Sequence, residues 1–305
     1  MRIAVIGASS FSGQAFVDRV ESDGHQVFSV NRPRFDLADP VEMVKAIVEA
    51  NARVVVNFAA LNMVAESWEH HADYYARNVI GVTGLAMGLR GQIDKFIQVS
   101  TPEVYGNVLH YLDERTPFNP STPYAVSRAA ADMHLLAMRR AYGFPVCITR
   151  TVNVFGPGQQ IYRIIPKTVL KILRGEKLKL HGGGASERSF IHIADVARGI
   201  ERVMEDGVPG ETYHMATPDY HSIKDLVRSI CRFMLVRFED VVDIDTERTG
   251  KDMAYLLLDS KIRKDLGWRE TISFYDGLEN TIRWFVDCHK VGDFEGQSLE
   301  YQHNP

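Results

Sequence analysis

Cysteine is scarce in this sequence: the chain of 305 residues has three, at positions 147, 231 and 288. They lie far apart and form no Cys-x-x-Cys pair, so we expect neither a disulfide framework nor a zinc site. Few unpaired cysteines are typical of a reducing compartment, and we expect a cytoplasmic protein. His181 and His192 have no ligand partner at a metal-binding spacing, so structural roles and no bound metal are expected.

A surplus of one charge and a long apolar run are also missing. The 35 lysines and arginines nearly balance the 39 aspartates and glutamates, which gives a formal net charge of −4. We therefore expect no nucleic-acid partner and no polybasic membrane patch. No apolar stretch reaches the roughly 18 residues of a transmembrane helix. Residues 2–6 are typical of a strand rather than of a signal peptide.

Short β-branched segments alternate with longer amphipathic segments in the first half of the chain. The expected strands are 3–6, 26–30, 54–58, 96–100 and 146–149, and expected helices include 13–21, 40–50 and 123–142. This alternation predicts an α/β fold with a Rossmann-type doubly wound parallel sheet. Such a sheet binds ligands at the carboxyl ends of its strands.

The rhythm of strands and helices changes after about residue 155, where glycine-rich segments interrupt the chain. We expect a dinucleotide-binding Rossmann domain over residues 1–155, with further segments near 188–206 and 246–260. A smaller C-terminal α/β domain over residues 156–290 is expected to bind the substrate. Residues 291–305 are polar with few apolar anchors, so a flexible tail is expected there.

A glycine-rich turn from Gly7 to Gly13 follows the first expected strand and opens a helix. Gly7 permits the tight turn, and Gly13 lets the helix approach the strand closely. Ser10 stands where a third glycine often lies, and we expect it, with Phe11 and Ser12, to face a pyrophosphate at the helix N-terminus. The turn therefore predicts a dinucleotide cofactor.

The end of the second expected strand bears on the identity of that cofactor. A carboxylate at this place would accept hydrogen bonds from the adenosine ribose of NAD, but the chain has Asn31, followed by Arg32. An arginine here could pair with a 2′-phosphate and so favours NADP, although a solvated loop arginine is an equal alternative. Asp36 and Leu37 are expected at the adenine edge. The cofactor prediction is NAD(P), with the phosphate state open.

Two segments carry acid–base groups: residues 99–106, at the end of a strand, and residues 123–128, at the start of a long helix. Tyr124 and Arg128 are four residues apart and share one helix face. There the cation can hold the phenol near deprotonation and also reach a nicotinamide ribose. Thr101 can hydrogen-bond the substrate oxygen that Tyr124 deprotonates. This equipment suits hydride transfer to or from a hydroxyl-bearing carbon.

These motifs, with Asn-Phe-Ala-Ala at 57–60, Ser-Thr-x-Glu-Val-Tyr-Gly from Ser100 and Asn-Val-Phe-Gly-Pro-Gly at 153–158, resemble the extended short-chain dehydrogenase/reductase superfamily. The resemblance is specifically to NAD-dependent nucleotide-sugar epimerases and dehydratases, and it covers nearly the whole chain. Residues 250–268 look most like dTDP-glucose 4,6-dehydratases. The resemblance to this family implies a nucleotide-sugar substrate and a homodimer formed through the helix that carries Tyr124.

The resemblance also implies roles for single residues. Tyr124 would take the proton of the sugar 4-hydroxyl, with Thr101 assisting at that oxygen, and Glu103 would remove the C5 proton. Asn153 and Arg188 would hold the nucleotide pyrophosphate. Contacts to the base and sugar are expected from variable segments such as 159–163 and 207–217. The remaining expected contacts are to the cofactor from Phe58, Ala59, Ala60, Asn78, Ser100 and Val152, and to the substrate from Asn62.

Two residues depart from the family pattern. Arg128 stands where the family has lysine; it keeps the charge but differs in bulk and geometry. Pro102 stands where typical dTDP-glucose dehydratases have the aspartic acid that protonates the departing C6 hydroxyl, and proline can donate nothing. Asp195 is expected to cap the helix that follows it.

Four functions are compatible with these residues. The leading hypothesis is a 4,6-dehydratase, because Glu103 would be superfluous for simple oxidation at C4. A 4-epimerase needs Tyr124 and Thr101 but no base at C5. A 4-keto-sugar reductase or C4 dehydrogenase would exchange free NADP(H). A catalytically silent Rossmann scaffold would explain Pro102 and Arg128.

Overall fold

The computed structural model describes residues 1–107, 110–245 and 256–303. Its strands, numbered along the chain, are β1 Arg2–Ile6, β2 Gln26–Val30, β3 Val54–Asn57, β4 Lys95–Val99, β5 Tyr111–Leu112, β6 Val146–Thr151, β7 Asn153–Phe155, β8 Leu178–His181, β9 Glu187–His192, β10 Thr212–Met215, β11 Tyr220–Ser222, β12 Val242–Asp245 and β13 Leu256–Leu257.

The α-helices are α1 Phe11–Ser22, α2 Val41–Glu49, α3 Glu66–Glu69, α4 His71–Tyr74, α5 Val82–Gly88, α6 Pro123–Tyr142, α7 Ile164–Leu173, α8 Ile193–Asp206, α9 Ile223–Phe233, α10 Phe238–Val241, α11 Ser260–Leu266 and α12 Phe274–Lys290. A π-helix, Tyr75–Gly81, joins α4 to α5, and 3₁₀ turns form at Pro102–Tyr105 and Gly182–Gly184. Among the helices so described, none combines the length and apolarity needed to cross a bilayer.

Six parallel strands form the main sheet in the order β10-β6-β4-β3-β1-β2. Helices cover both faces, so alternate residues of one strand enter different cores. In β1, Ile3 and Val5 pack with α1 and α8, whereas Ala4 and Ile6 pack with α2 and α5. Burial on both faces explains why the inner strands β1 and β3 are almost continuously apolar. The predicted Rossmann-type doubly wound sheet is confirmed.

The second half of the chain builds smaller sheets beside the first. One contains β11, β9 and β7, and another pairs β12 with β8. Phe155, Ile165, Phe274 and Leu278 are members of their apolar core. The chain also returns to the main sheet, because α8 covers one face of it and β10 forms its edge. The expected contribution of residues 246–255 lies outside the described residues.

The C-terminal stretch differs from the expectation of a tail with few anchors. Leu299 is buried in the core of the second half, and Lys167 Nζ lies 2.6 Å from Glu300 Oε1. His303 Nε2 reaches Asp73 Oδ2 at 3.2 Å, in α4 of the first half of the chain. The segment is therefore held to the rest of the protein by a few separate side chains. Their spacing has no helix or strand periodicity, so the sequence pattern does not predict them as anchors.

Asp195 does not cap its own helix, contrary to expectation. The N-cap of α8 is His192, whose Nδ1 accepts from the backbone N–H of Ala194. The fully buried Asp195 carboxylate instead accepts hydrogen bonds from Thr271 N at 3.1 Å and Ile272 N at 3.2 Å, and it pairs with Arg198. It thereby holds the segment before α12 against α8.

We expect Asp195→Ala to lower the free energy of unfolding by about 3 kcal/mol, because it leaves two buried backbone donors and a guanidinium without their acceptor. Urea denaturation measures the change. The matched control is Asp225→Ala, which removes an exposed helix carboxylate paired with Arg228 and should cost less than about 1 kcal/mol. Equal effects of the two substitutions would contradict this account of Asp195.

Candidate active site

A cavity of about 880 Å³ opens at the carboxyl ends of the main-sheet strands. Its walls come from the turns after β1, β2, β3 and β4, from the first turns of α6, and from β7 and β9 of the smaller sheet. Ligands of doubly wound sheets bind at this edge. The cavity is therefore the candidate active site.

The glycine-rich turn forms one wall through very close backbone packing. Gly7 has a φ of +76°, and a Cβ there would lie 3.0 Å from the backbone nitrogen of Ala59. A Cβ on Gly13 would overlap the carbonyl of Gly7. Ser10 caps α1, its Oγ accepting from the N–H of Gly13 at 3.1 Å. First-turn amides lack intrahelical acceptors, so this helix end presents donors and a positive dipole to an anion.

The turn after β2 forms the adjoining end of the cavity. Asn31 Oδ1 accepts from the backbone N–H of Ser9 at 2.9 Å, so its side chain braces the glycine-rich turn. Asp36 accepts from Arg77 Nη2 at 3.0 Å. Although desolvation opposes it, hydrogen bonds from Ala38 and Arg77 and the charges of Arg77 and Arg32 hold the pKa of the Asp36 carboxyl below its ordinary value. An ionised carboxylate therefore lies at this end.

The N-termini of two helical elements, the 3₁₀ turn at Pro102–Tyr105 and the helix α6, bring the acid–base groups together. Thr101 caps the 3₁₀ turn, its Oγ1 accepting from the N–H of Glu103 at 3.3 Å, and Pro102 suits the first position of such a turn. Thr122 caps α6 through the N–H of Ala125, which places Tyr124 in the first turn of that helix. Thr101, Glu103 and Tyr124 all line the cavity.

The electrostatic surroundings of Tyr124 show that these groups act on one another. Burial raises the pKa of its phenol, and the positive charge of Arg128 acts in the opposite direction. The carboxylate of Glu103 raises the pKa further, whereas a hydrogen bond with Thr101 and the charge of Arg163 lower it. The cavity thus contains a buried phenol whose proton affinity depends on two arginines, a threonine and a glutamate.

Arg128 is buried and has unused hydrogen-bonding capacity. Its Nη2 donates to the carbonyl of Val99, while Nε and Nη1 have no hydrogen-bond partner among the described residues. Unsatisfied donors on a buried cation cost free energy unless a ligand accepts from them. Ribose hydroxyls would supply such acceptors. With the glycine-rich wall, this orphaned guanidinium fits a dinucleotide.

Two residues predicted in the cofactor site lie behind it instead. Gly13 allows α1 to pack on the turn, and Asn78 is completely buried. The amide of Asn78 donates to Leu61 O at 2.9 Å and to Ser127 Oγ at 3.0 Å, and it accepts from Leu61 N at 3.0 Å. Its hydrogen bonds hold the loop after β3 against α6, so Asn78 supports the wall from behind.

The wall opposite the glycine-rich turn comes mainly from the second half of the chain. Arg163 Nη2 donates to Asn62 Oδ1 at 3.3 Å across the cavity. Asn153 Nδ2 donates to Ser189 O at 3.3 Å, and Arg188 lies on the neighbouring strand β9. The expected segment 159–163 does contribute to the cavity, but segment 207–217 does not, because its residues 212–215 form β10 of the main sheet.

Most of the predicted site residues line this one cavity. They are Gly7, Ser10, Phe11, Ser12, Asn31, Arg32, Asp36, Leu37, Phe58, Ala59, Ala60, Asn62, Ser100, Thr101, Glu103, Tyr124, Arg128, Val152, Asn153 and Arg188. Sequence reasoning missed Arg77, which lies in the π-helix next to Asn78, and it placed Tyr162 and Arg163 in a contacting segment without giving either residue a role of its own. No local pattern in the sequence distinguishes these three from surface residues.

A doubly wound sheet with a glycine-rich turn, and a buried tyrosine followed four residues later by a cation, define a dinucleotide-binding protein of the Rossmann type. The chain belongs to the NAD dependent epimerase/dehydratase family, whose model matches residues 3–216. A dTDP-glucose 4,6-dehydratase from Mycobacterium tuberculosis is 31% identical over 292 residues, which are 93% of this chain and 85% of that protein.

A trifunctional Arabidopsis thaliana protein, UDP-glucose 4,6-dehydratase with 3,5-epimerase and reductase activities in its name, is 33% identical over 273 residues. The match covers 87% of this chain but 41% of that protein, so the chain spans about two fifths of the length of such plant relatives.

Among solved structures, a dTDP-glucose 4,6-dehydratase from Streptomyces venezuelae with NAD bound is similar, with a TM-score of 0.88, 29% identity and coverage of 95% and 98% of the two chains. A UDP-glucose 4-epimerase from Thermotoga maritima has the same TM-score at 25% identity, covering 95% of this chain and 100% of that one.

We expect Arg128→Gln to lower the affinity for NAD by roughly tenfold or more, since a charged hydrogen bond to a ligand contributes about 1.5–3 kcal/mol. Isothermal titration with NAD measures the change. Arg140→Gln, which removes an exposed arginine from the same helix, is the control and should leave the affinity unchanged. An unaltered affinity in Arg128→Gln would show that its orphaned nitrogens do not face the cofactor.

Proposed function

We propose that this protein is an NAD-dependent nucleotide-sugar 4,6-dehydratase, a lyase. The observation that carries the proposal is the presence of Glu103 in the same cavity as Tyr124, near enough for its charge to raise the pKa of the phenol. Oxidation at C4 requires Tyr124 and Thr101, whereas a further carboxylate suits removal of the C5 proton. Relatives named dTDP-glucose 4,6-dehydratases support the same reaction.

Bound NAD would supply the redox chemistry, accepting a hydride from C4 of the sugar and returning it to C6. Tyr124, as phenolate, takes the proton of the 4-hydroxyl, and Thr101 hydrogen-bonds the same oxygen. The charge of Arg128 stabilises the phenolate. Once C4 is a ketone, the C5–H bond is acidified, and Glu103 takes that proton as the C6–O bond breaks. A proton from solvent, delivered through Glu103, then reaches C5.

The departing C6 hydroxyl needs a proton, and Pro102 cannot supply it. In the described part of the chain, the carboxyl groups that line the cavity are those of Glu103 and Asp36. Asp36 is bound to Arg77 at the end of the cavity near β2. Glu103 is therefore the group that we assign to both tasks: it accepts the C5 proton and donates it to the leaving oxygen, which departs as water.

The acidic end of the cavity supports NAD rather than NADP. Arg32 lines that end, as the NADP hypothesis requires, but so does the carboxylate of Asp36. Because the pKa of Asp36 is lowered, its negative charge persists at neutral pH. The negative charge of a 2′-phosphate would be repelled by this carboxylate, whereas the uncharged ribose hydroxyls of NAD could donate hydrogen bonds to it.

We also propose the division into a cofactor-binding and a substrate-binding domain that the sequence predicts. Residues 1–155, with further segments near 188–206 and 246–260, form the dinucleotide-binding domain, and the rest of residues 156–290 form the substrate domain. Both groups contribute side chains to the cavity, which supports this division.

A cytoplasmic location is proposed because Cys147, Cys231 and Cys288 are all free thiols, as in a reducing compartment.

With a nucleoside diphosphate glucose in deuterated water, we expect a 4-keto-6-deoxy product that carries deuterium at C5. In Glu103→Gln, formation of this product should fall by at least about a hundredfold, a general acid–base contribution, while reduction of the bound cofactor persists. NMR and mass spectrometry follow the product, and near-ultraviolet absorbance follows the cofactor. An unlabelled C4 epimer would indicate an epimerase, net NADPH consumption a reductase, and no turnover of any nucleotide sugar a scaffold.

A homodimer is proposed on the basis of an apolar surface. The dimer surface comprises Ile80 and Met87, from the π-helix and α5, together with Val126 and Met133 of the neighbouring α6. Ile80 and Met133 are 65% and 58% exposed. Each pair is seven residues apart, so both apolar stripes follow one helix face. Exposed apolar side chains on two adjacent helices suit antiparallel packing against a second copy.

We expect the protein to be a dimer in solution and Met133→Glu to be largely monomeric, because the interface would bury an unpaired charge. Light scattering coupled to size-exclusion chromatography measures the mass. Val291→Glu changes a residue that is 76% exposed and lies outside the dimer surface, so it should leave the dimer intact. A wild-type monomer, or a dimer in Met133→Glu, would contradict this assignment.

A further inference from the structure

A buried ion pair lies directly behind the acid–base groups. Asp132 of α6 and Arg150 of β6 are almost fully buried, and Arg150 Nη2 lies 2.8 Å from Asp132 Oδ2. The same oxygen accepts from Ser100 Oγ at 2.6 Å. Arg150 Nη1 donates to the hydroxyl of Tyr105 at 2.7 Å. Ser100 precedes the 3₁₀ turn and Tyr105 ends it, so the pair holds both ends of the turn that carries Glu103.

The direction of each hydrogen bond in this network can be assigned from the donors. Arg150 can only donate, so the Tyr105 oxygen accepts from it and gives its own proton to His214 Nε2 at 2.7 Å. His214 Nδ1 then carries the proton that is donated to the carbonyl of Leu258 at 3.2 Å. Burial and the charge of Arg150 lower the pKa of His214 to about 3, so the histidine stays neutral and keeps this tautomer.

The phenol of Tyr105 does not titrate in the working pH range. Its burial raises the pKa to about 12, with the charge of Arg150 acting against that rise. The chain Arg150–Tyr105–His214 is therefore a fixed series of hydrogen bonds and not a proton relay. Of the network residues, Ser100 lines the cavity, whereas Tyr105, Asp132, Arg150 and His214 do not. These four cannot touch a substrate, so any effect on the reaction passes through the turn.

The helix α6 links the network to the other acid–base groups. Tyr124, Arg128 and Asp132 recur every four residues and share one face of that helix. Tyr124 is also placed by its own cap, through Thr122, and Arg128 by its hydrogen bond to Val99. Glu103 lies in the middle of a four-residue turn, whose C-terminal end is held by the Tyr105 hydroxyl. Loss of that hydroxyl should therefore displace Glu103 more than Tyr124.

We propose that Tyr105 is a positioning residue for Glu103: the hydrogen-bonded series from Arg150 through Tyr105 to His214 fixes the 3₁₀ turn, and so governs proton transfer at C5 separately from oxidation at C4. The inference rests on the proposed dehydratase function. A displacement of about 1 Å can cost a reaction step roughly a hundredfold. Because a hydride step at C4 depends on Tyr124 and Thr101, it should be affected much less.

The test is Tyr105→Phe, which removes one oxygen and keeps the ring that packs against Phe118. With a nucleoside diphosphate glucose in deuterated water, we expect deuterium incorporation at C5 to fall about 10- to 100-fold. Reduction of the bound nicotinamide in a single turnover should stay within about threefold of wild type. The matched control is Tyr213→Phe: that buried hydroxyl accepts from Val208 N at 3.0 Å outside the network. Both rates should be unchanged in it.

A double-mutant cycle separates positioning from general destabilisation. If Tyr105 acts through Glu103, Tyr105→Phe should cause no further loss of product formation in a Glu103→Gln background. Should Tyr105→Phe fold poorly, His214→Leu removes the acceptor of the Tyr105 proton at a residue that does not line the cavity, and its C5 exchange should fall while nicotinamide reduction persists.

Three results would overturn the inference: unchanged C5 exchange, equal losses in both steps, or additive losses in the double variant. A wild-type protein that reduces its cofactor but never exchanges C5 would instead overturn the proposed dehydratase function, and the inference with it.

Discussion

The ion pair between Asp132 and Arg150 is the interaction on which the geometry of the site depends. It joins α6 to β6 at the level where β4 ends, and β4 pairs in register with β6 through Val99 and Thr149. A buried pair of this kind contributes little net stability, although removing one partner typically costs about 3–5 kcal/mol. Its value here is geometric, since one carboxylate oxygen fixes the helix with the phenol relative to the turn with the glutamate.

The same burial that makes the geometry rigid makes the chemistry difficult. A tyrosine in an apolar wall resists deprotonation, and the pKa of Tyr124 is raised for that reason. The charges of Arg128 and Arg163 and the hydrogen bond with Thr101 oppose this effect. A cationic nicotinamide beside the phenol would act in the same direction as the arginines. The base is thus poised for deprotonation when its ligand is in place.

The strands of the main sheet and the acid–base motifs could be predicted from the sequence, because both have local signatures. Continuous apolar segments mark strands buried on both faces, and Tyr124 and Arg128 are separated by one helical turn. Other features depend on partners distant in sequence. The strand β10 has only four residues, and they do not alternate clearly between apolar and polar. The side-chain oxygen of Asn31 accepts from the backbone of Ser9 and is not left open to a ligand. Asp195 binds a segment more than seventy residues later in the chain.

The placement of arginines around the cavity explains how a chain with a net charge of −4 can hold an anionic ligand. At the end near β2, Arg77 is paired with the carboxylates of Asp36 and Asp73, so its positive charge is compensated there. On the opposite wall, Arg163 contacts the amide of Asn62 and the ring of Tyr162, neither of which carries a charge. Neither contact neutralises its positive charge, which lies at the wall of the cavity. The end near β2, where the Asp36 carboxylate can accept hydrogen bonds, suits ribose hydroxyls, and the end that carries Arg163 suits the diphosphate of a sugar nucleotide.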